Sequence, residues 1–397
     1  MEILKIIWII FQVLVGYHLF LPLILLLIWL VVKRKPEEVS DLPENDYAII
    51  VTAYQQTTLV PDVVKSIQKL NYNNYLVYIV ADNCEDISNL QFNDDKIIVL
   101  KPETVLSSNT RSHFYAIHHF KREHKYLTII DSDNLVTPNY LTELDKVFAR
   151  GFVAIQGVRA AKNLNSTYAC LDAASDIYYR FIDRELLFNA GSSAALSGSG
   201  MAFTVQLYRD CLEHLVIDGA GFDKVFQLEI QRRNLRVAFA ERAVVFDEKT
   251  SKADQLVKQR ARWINTWFKY AGQGYGLVIS GITKFSWNQF IYGLFFTRPP
   301  LFILLFLSFF CFAVDVFIDH VAAFVWFCGA VSFVFCFFVS LAYFRTPKVI
   351  YSALFNVPVF MFYQVISLFK SKQANKISVA TEHYHDSTGD NQMEEIK

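Results

Sequence analysis

The uneven distribution of charge along the chain limits how it can fold more than any other feature. Residues 6–32 contain no charged side chain, and the run ends in Lys33-Arg34-Lys35. Such a run exceeds the roughly 20 apolar residues needed to cross a bilayer. Lys5 ahead of an apolar run would also suit a signal peptide. The run lacks a short apolar core followed by a small-x-small site, so a retained anchor is expected. Gly16, His18 and Pro22 interrupt it, which allows one tilted helix or an interfacial turn followed by a helix.

Three further apolar stretches, 301–318, 321–344 and 349–369, lie near the other end. The first carries Asp315 near its end, the second has no charge, and the third contains Asn356, Pro358 and Gln364. Ahead of them, residues 275–297 mix aromatic and polar side chains, which suits the membrane surface, before Pro299-Pro300 redirects the chain. Composition agrees: 53% hydrophobic and 19% charged residues, with 36 Phe, is oilier than an ordinary soluble protein. Lys+Arg and Asp+Glu balance at 38 each, so no net charge points to nucleic acid as a partner. Six scattered cysteines lack metal or redox spacing and read as reduced, buried thiols.

Basic residues cluster at 33–35 and again at Arg345 and Lys348, whereas the break at Asp319-His320 is acidic. The positive-inside rule then puts residues 36 to about 274 in the cytosol. If the third C-terminal stretch crosses fully, Lys370, Lys372 and Lys376 lie outside; otherwise residues 356–364 are re-entrant or interfacial. The expected division is an anchor (1–35), a cytosolic domain (36–274), an interfacial segment (275–298), membrane helices (299–370) and a polar tail (371–397).

Within the central region, short β-branched runs at 47–52, 76–80, 96–100, 126–130 and 152–156 alternate with helical patterns such as 60–70. That alternation predicts an α/β domain with a mostly parallel sheet and flanking helices. Ligands of such sheets gather beyond the carboxyl ends of the strands. Acidic or turn residues follow three of these runs there.

Asp131-Ser132-Asp133 follows the fourth run. In an extended segment, residues i and i+2 point the same way, so two carboxylates can face one target. Hard oxygen ligands suit Mg²⁺ or Mn²⁺, which also takes substrate phosphate oxygens. Equally, such a pair can be a solvated polar turn. Asp82 ends the second run, where a carboxylate can accept a hydrogen bond from a base N–H or simply cap a turn. Thr52 and Tyr54 end the first run, and a Tyr there can pack on a nucleobase or in the core. Asp223 opens a helix expected to continue through Arg233, either as a dipole-stabilising carboxylate or as a general base for an acceptor hydroxyl. Gln259-Arg260-Ala261-Arg262-Trp263 places two Arg and one of six Trp just before the oily region. Arg262 can pair with diphosphate oxygens, Trp263 offers a face for a sugar ring, and Gln259 supplies a hydrogen bond. A basic amphipathic helix end with an interfacial Trp would look the same.

In order, VTAYQQ (51–56), ADNCED (81–86), IIDSDNLVTPNYL (129–141), LSGSGMAF (196–203), GFDKVFQLEI (221–230) and QRARW (259–263) resemble the membrane-bound members of glycosyltransferase family 2. That group contains cellulose, chitin, hyaluronan and poly-N-acetylglucosamine synthases. The resemblance runs from about residue 47 to 263. It implies an A-type glycosyltransferase fold, a UDP-sugar donor and inversion at the anomeric carbon in a metal-dependent hexosyltransferase. It also implies that Asp82 binds the base, and that Asp131 and Asp133 hold the diphosphate and its metal. Asp223 would be the catalytic base, and Gln259, Arg262 and Trp263 would line the acceptor and diphosphate site. Arg111 stands near a donor-contacting Lys of the family. Two positions depart from the pattern: Gln56 replaces an acidic residue, and Phe222 replaces the Glu of a Glu-Asp pair.

The resemblance points to polysaccharide synthesis on a glycan acceptor beside membrane lipids, with a bacterial inner membrane as the setting. Two other readings stay open: single transfer to a membrane lipid, and a non-catalytic nucleotide-binding partner of a synthase.

Overall fold

The computed structural model describes residues 2–32, 42–217 and 219–374. The basic cluster 33–35, Lys376 and the polar tail beyond residue 374 lie outside the described residues.

An eight-stranded sheet in the order β3-β2-β1-β4-β7-β6-β8-β5 forms the centre of the chain. Its strands are β1 Tyr47–Tyr54, β2 Tyr75–Asp82, β3 Ile97–Leu100, β4 Tyr126–Asp131, β5 Leu135–Val136, β6 Ala154–Ala161, β7 Met201–Thr204 and β8 Val237–Asp247. The expected parallel arrangement holds for β3, β2, β1 and β4, and again for β6 with β8. β7 and β5 run antiparallel to their neighbours, which makes the sheet mixed. β1 is buried almost throughout, as a strand covered on both faces requires. The β6–β8 pairing jumps from Gly157↔Ala240 to Val158↔Val244, so Glu241 and Arg242 form part of a bulge.

Helix α3 (Asn109–His118) packs on β1 and β2, whereas α2 (Val60–Gln68) lies by β5 and α4 (Tyr140–Phe148) by β8 and β6. α5 (Thr167–Arg180) continues through a π-helical turn at Phe181–Leu186 into α6 (Leu187–Asn189). α7 (Val205–Leu212), α8 (Phe222–Arg232) and α9 (Ala253–Tyr270) follow.

Residues 275–297 fold as two helices, α10 (Gln273–Thr283) and α11 (Trp287–Phe296). Glycine lets the two backbones touch: a Cβ on Gly281 would lie 2.4 Å from the Phe290 nitrogen, and one on Gly293 would lie 2.6 Å from the Val278 nitrogen. α11 is held on the central domain by Trp287 Nε1 donating to the Ala190 carbonyl (2.8 Å) and Gln289 Nε2 donating to that of Gln231 (2.7 Å). α10 instead presents Ile279 and Ile282 to the outside, as does Phe285 in the turn after it.

Four segments are long and apolar enough to cross a membrane: Glu2–Val32, Leu301–Ile318, His320–Tyr343 and Lys348–Lys370. The first, α1, is a single helix despite Pro22, which removes one backbone donor. α12 is Leu301–Ile318 and α13 is His320–Tyr343. The fourth segment divides into α14 (Lys348–Ala353), a 3₁₀ turn at Leu354–Asn356 and α15 (Val357–Lys370).

Asp315 ties α1, α12 and α13 together. Its carboxylate accepts from Trp8 Nε1 (3.0 Å), Trp326 Nε1 (3.1 Å) and, more weakly, Gln12 Nε2 (3.4 Å). A charge in an oily helix is tolerated where buried donors satisfy it in this way. Toward the central domain, Trp29 Nε1 donates to Glu185 Oε1 (3.2 Å), and Arg298 Nη2 donates to Asp183 Oδ2 (2.7 Å). Polar contacts therefore dock the apolar helices onto the π-helical turn.

The α10–α11 contact leaves no space for a side chain. Gly281→Val is expected to cost about 2–3 kcal/mol through overpacking, whereas Gly276→Ala, which meets nothing within 4 Å, should be neutral or slightly stabilising. Thermal unfolding of the two variants in detergent checks both expectations.

Candidate functional site

Strand register brings together the residues singled out near the start of the chain. Tyr54 lies beside Asp82 across β1 and β2, and Thr52 lies beside Asp131 across β1 and β4. Asp82 is buried, and its two oxygens accept the backbone N–H groups of Leu106 and Ser107, each at 2.8 Å. Tyr54 Oη shares a hydrogen bond with Ser107 Oγ (3.2 Å), and Arg111 Nε donates to the Leu106 carbonyl (2.6 Å). Thr52, Tyr54, Asp82, Arg111 and Asp131 thus converge on one end of the sheet. Gln55, Asn83 and Ser107 around them have φ of 63°, 54° and 47°, a strained left-handed conformation for which only Asn has a preference. Beyond these turns opens a polar cleft of about 550 Å³, with Gln56 on its wall.

Asp131 ends β4, but Ser132 and Asp133 form a turn closed by Asn134 N–H donating to the Asp131 carbonyl (3.1 Å). The extended i, i+2 geometry expected for the two carboxylates is therefore not what relates them. A glycine-rich loop fixes this turn instead. Ser199 Oγ accepts from the Asp131 N–H (3.1 Å) and donates to Asn134 Oδ1 (2.6 Å). Gly198 and Gly200 on either side have φ of 90° and 64°. The loop is held in turn by β6: Arg159 Nη1 donates to the Ser197 carbonyl (2.7 Å), and Gln156 Oε1 accepts from the Ser197 N–H (2.9 Å).

Sequence reasoning quoted this loop only as part of a resemblance, and it missed Arg159, Asp247, Lys249 and Asp176. Arg159 pairs with Asp247, and the Lys249 ammonium lies 2.9 Å from both Asp247 and Asp176. Burial opposes the Arg159 charge, yet Asp247, Asp176, Asp131 and Asp133 outweigh it and hold the pKa above its usual value. Lys249 behaves alike, raised by Asp176 and Asp247 against burial. Lone Arg and Lys residues in strand-like segments carry no sequence signal for such a network.

Asp223 occupies the first turn of α8 with Lys224 3.9 Å away. Gly221, at the N-cap with φ 103°, packs on α9: a Cβ there would lie 2.6 Å from Thr266 Cγ2 and 3.0 Å from Tyr270 Cε2. Thr266 Oγ1 donates to the Arg262 carbonyl (2.9 Å), so the start of α8 abuts the α9 turn that follows Arg262 and Trp263. Gln259 Oε1 accepts from Thr250 Oγ1 (3.3 Å), just beyond Lys249. Burial lowers the Arg262 pKa from its ordinary value. Trp263 is half-exposed, but Arg260 stacks 4.4 Å from its ring centroid and is anchored by Asp172 of α5. One face of the indole is therefore already covered, and Arg260 joins the set as a residue that holds Trp263.

The chemistry of Asp131 and Asp133 fits a divalent cation. Among the described residues no group of three or more His, Cys, Asp or Glu is gathered to hold a metal. Two hard carboxylates suit an ion that completes its shell with phosphate oxygens and water. Nearby, Asn134 Nδ2 and Ser197 Oγ are buried without a hydrogen-bond partner, leaving polar capacity at the same end of the sheet.

The profile of Glycosyltransferase like family 2 matches residues 43–266, more than half of the chain. The chain belongs to this family. Among solved structures, the mannosyltransferase PcManGT from Pyrobaculum calidifontis, in complex with GDP-Man and Mn²⁺, aligns with a TM-score of 0.51 and 13% identity. The alignment covers 92% of this chain and 98% of that one. TarS from S. aureus, residues 1–349 with UDP-GlcNAc, aligns with a TM-score of 0.38 and 16% identity over 52% of this chain and 59% of that one. No curated protein sequence matches the chain. The family assignment and the PcManGT likeness agree with the A-type glycosyltransferase fold.

Phe222, where the resemblance leads one to expect Glu, is buried, and its ring lies 5.2 Å from the ring of His113. His113 is itself buried and bonds Tyr208 Oη through Nδ1 (2.7 Å). Burial pulls the His113 pKa down to about 3, against about 6.5 in an unfolded chain. The unfolded state therefore binds the extra proton between these values, and stability falls as pH drops from about 6.5 towards 3. In His113→Asn, which can keep the Tyr208 bond, the melting temperature should depend less on pH between about 6.5 and 4.5. Melting curves of both proteins across that range check it.

Proposed function

We propose that this chain is an inverting, metal-dependent hexosyltransferase that moves a sugar from a UDP-sugar to a membrane-proximal glycan in polysaccharide synthesis. The observation that carries the reading is the packing of Gly221 on Thr266 and Tyr270. It joins the carboxylate at the start of α8 to the helix bearing Arg262 and Trp263. Family membership and the four apolar segments support it further. A bacterial inner membrane, with the central domain on the cytosolic side, is the setting this reading assigns.

In this mechanism Asp82, with Tyr54, Thr52 and Arg111 around it, receives the nucleoside. Asp131 and Asp133 would hold Mg²⁺ or Mn²⁺, which supplies charge neutralisation to the diphosphate leaving group when bound. Arg262 pairs with diphosphate oxygens, and the arriving anion offsets the desolvation of its charge. Gln259 and the open face of Trp263 position the acceptor. Asp223 takes the proton from the acceptor hydroxyl as its oxygen bonds to the anomeric carbon and the bond to UDP breaks. Phe222 leaves Asp223 without the carboxylate neighbour usual in the family, which favours a different acceptor or reduced processivity.

A second reading, single transfer to a membrane lipid, gains from the exposed Trp263 and Phe268 on α9. Labelled UDP-sugars supplied to membranes would give polymer in the first case and a solvent-extractable glycolipid in the second. GDP-mannose belongs in the same screen, because the Pyrobaculum neighbour carries that donor.

Asp223→Asn should lower transfer by about 10²–10⁴-fold while UDP binding is kept, measured as UDP release and as nucleotide affinity in detergent. Normal turnover would remove the base assignment. Asp133→Ala should abolish the divalent-cation dependence of UDP binding; affinity that is the same for both proteins, with or without chelator, would sink the metal assignment.

A further inference from the structure

The segment Lys348–Lys370 has the length and hydropathy of a fourth membrane crossing. Its packing partners argue against that depth. α15 lies along α9, with the Phe360 ring 5.7 Å from the Arg260 guanidinium and Asn265 Nδ2 donating to the Ser371 carbonyl (2.9 Å). Ile350 and Ala353 of α14 share a buried cluster with Cys170, Leu171 and Ala174 of α5, and Tyr363 meets the Tyr168 ring edge-on at 5.6 Å.

Both partner helices are too polar for hydrocarbon. α9 carries exposed Lys258 and Lys269 along with Arg260 and Arg262, and α5 carries Asp172 and Asp176. An exposed charge such as Lys258 or Lys269 at mid-bilayer depth costs about 2.5–3.5 kcal/mol or more. A helix fixed alongside them from residue 360 to residue 371 therefore shares their depth. α15 itself, at 14 residues, reaches only about 21 Å at 1.5 Å per residue, against a hydrocarbon core of about 30 Å.

The opposite side of the segment is apolar and open. Phe355, Phe362 and Phe369 are 90%, 62% and 82% exposed. Arg345, Lys348, Lys370 and Lys372 flank it, and residues 345–374 contain no acidic residue. Phenylalanines bounded by lysines match an acyl–headgroup boundary of anionic lipid.

We infer that α14 and α15 lie in the surface of the leaflet on the side of the central domain and do not cross. The occupant of their open face is lipid, and the chain emerges after residue 370 on the same side as the central domain. Three crossings, α1, α12 and α13, remain. Lys370 and Lys372 then share a side with Arg345 and Lys348, which removes the conflict with the positive-inside rule. The inference rests on the membrane location proposed above.

Single cysteines in the full chain test it. With Cys328→Ala, the remaining native cysteines are buried. Lys65→Cys marks the central domain, His320→Cys marks the α12–α13 turn, and Ala374→Cys reports the end of α15. In sealed, oriented vesicles, a membrane-impermeant thiol reagent should label 374 with 65 and opposite to 320. Labelling of 374 with 320 overturns the inference, because the segment then crosses. Labelling of 65 and 320 on one side overturns the membrane location itself and, with it, the inference. Depth is a second readout: a fluorophore on Val359→Cys should be quenched more by nitroxides attached near the lipid headgroup than by nitroxides at the chain end. The reverse order places residue 359 at mid-bilayer and also overturns the inference.

Discussion

Arg159 stands where the parts of the site meet, and its pairing with Asp247 governs their arrangement. From β6 it holds the 196–200 loop through the Ser197 carbonyl, and that loop fixes the turn bearing Asp131 and Asp133. Through Asp247 and Lys249 the same charge reaches Asp176 on α5. A buried ion pair adds little net stability over an apolar pair of the same shape, since desolvation consumes most of the attraction. Breaking one side of it, however, costs about 3–5 kcal/mol, because a charge is left stranded. The network therefore restricts the conformations open to the loop, the acidic turn and α5 more than it raises stability. It also sets a standing positive charge beside two carboxylates, which lowers their mutual repulsion.

The parallel half of the sheet was legible in the sequence because β1, β2 and β4 are short β-branched runs that end in turn residues. β8 was not. Its hydrophobic pattern is broken by Glu241 and Arg242, and the cause is the bulge opposite Gly157 and Val158, a tertiary feature with no local signature. β7 was hidden for another reason: four residues after a glycine-rich loop carry too little pattern to separate strand from turn. The residues proposed for the site were visible as motifs, but what gathers them was not. Register places Thr52 by Asp131 and Tyr54 by Asp82, and register follows from strand order, which the sequence leaves undetermined.

Phe222 shows how a departure from a family pattern can be structural. The position faces a buried, neutral His113, which bonds Tyr208. A phenyl ring fills such a space without a desolvation cost, whereas a carboxylate there would need the imidazole protonated or a donor from elsewhere. The acidic character that the resemblance leads one to expect at this step of the helix is thus exchanged for packing, and Asp223 is left as the acidic residue in the first turn of α8, beside Lys224.

α9 links the proposed chemistry to the face of α15 assigned above to lipid. One side of it receives the start of α8 at Thr266 and Tyr270, and another receives α15 at Arg260 and Asn265. Arg260 connects the two functions, since its guanidinium is anchored by Asp172, covers one face of Trp263 and touches Phe360. A shift of α15 would therefore bear on Arg260, and through it on the indole proposed to hold the acceptor. With α15 resting on the leaflet as inferred, lipid contacts of the exposed Phe355, Phe362 and Phe369 would set the depth of the proposed acceptor site. An acceptor that is itself confined to the membrane surface then meets Trp263 at a fixed height, and orientation that a soluble enzyme must supply by extra contacts is supplied by the bilayer plane.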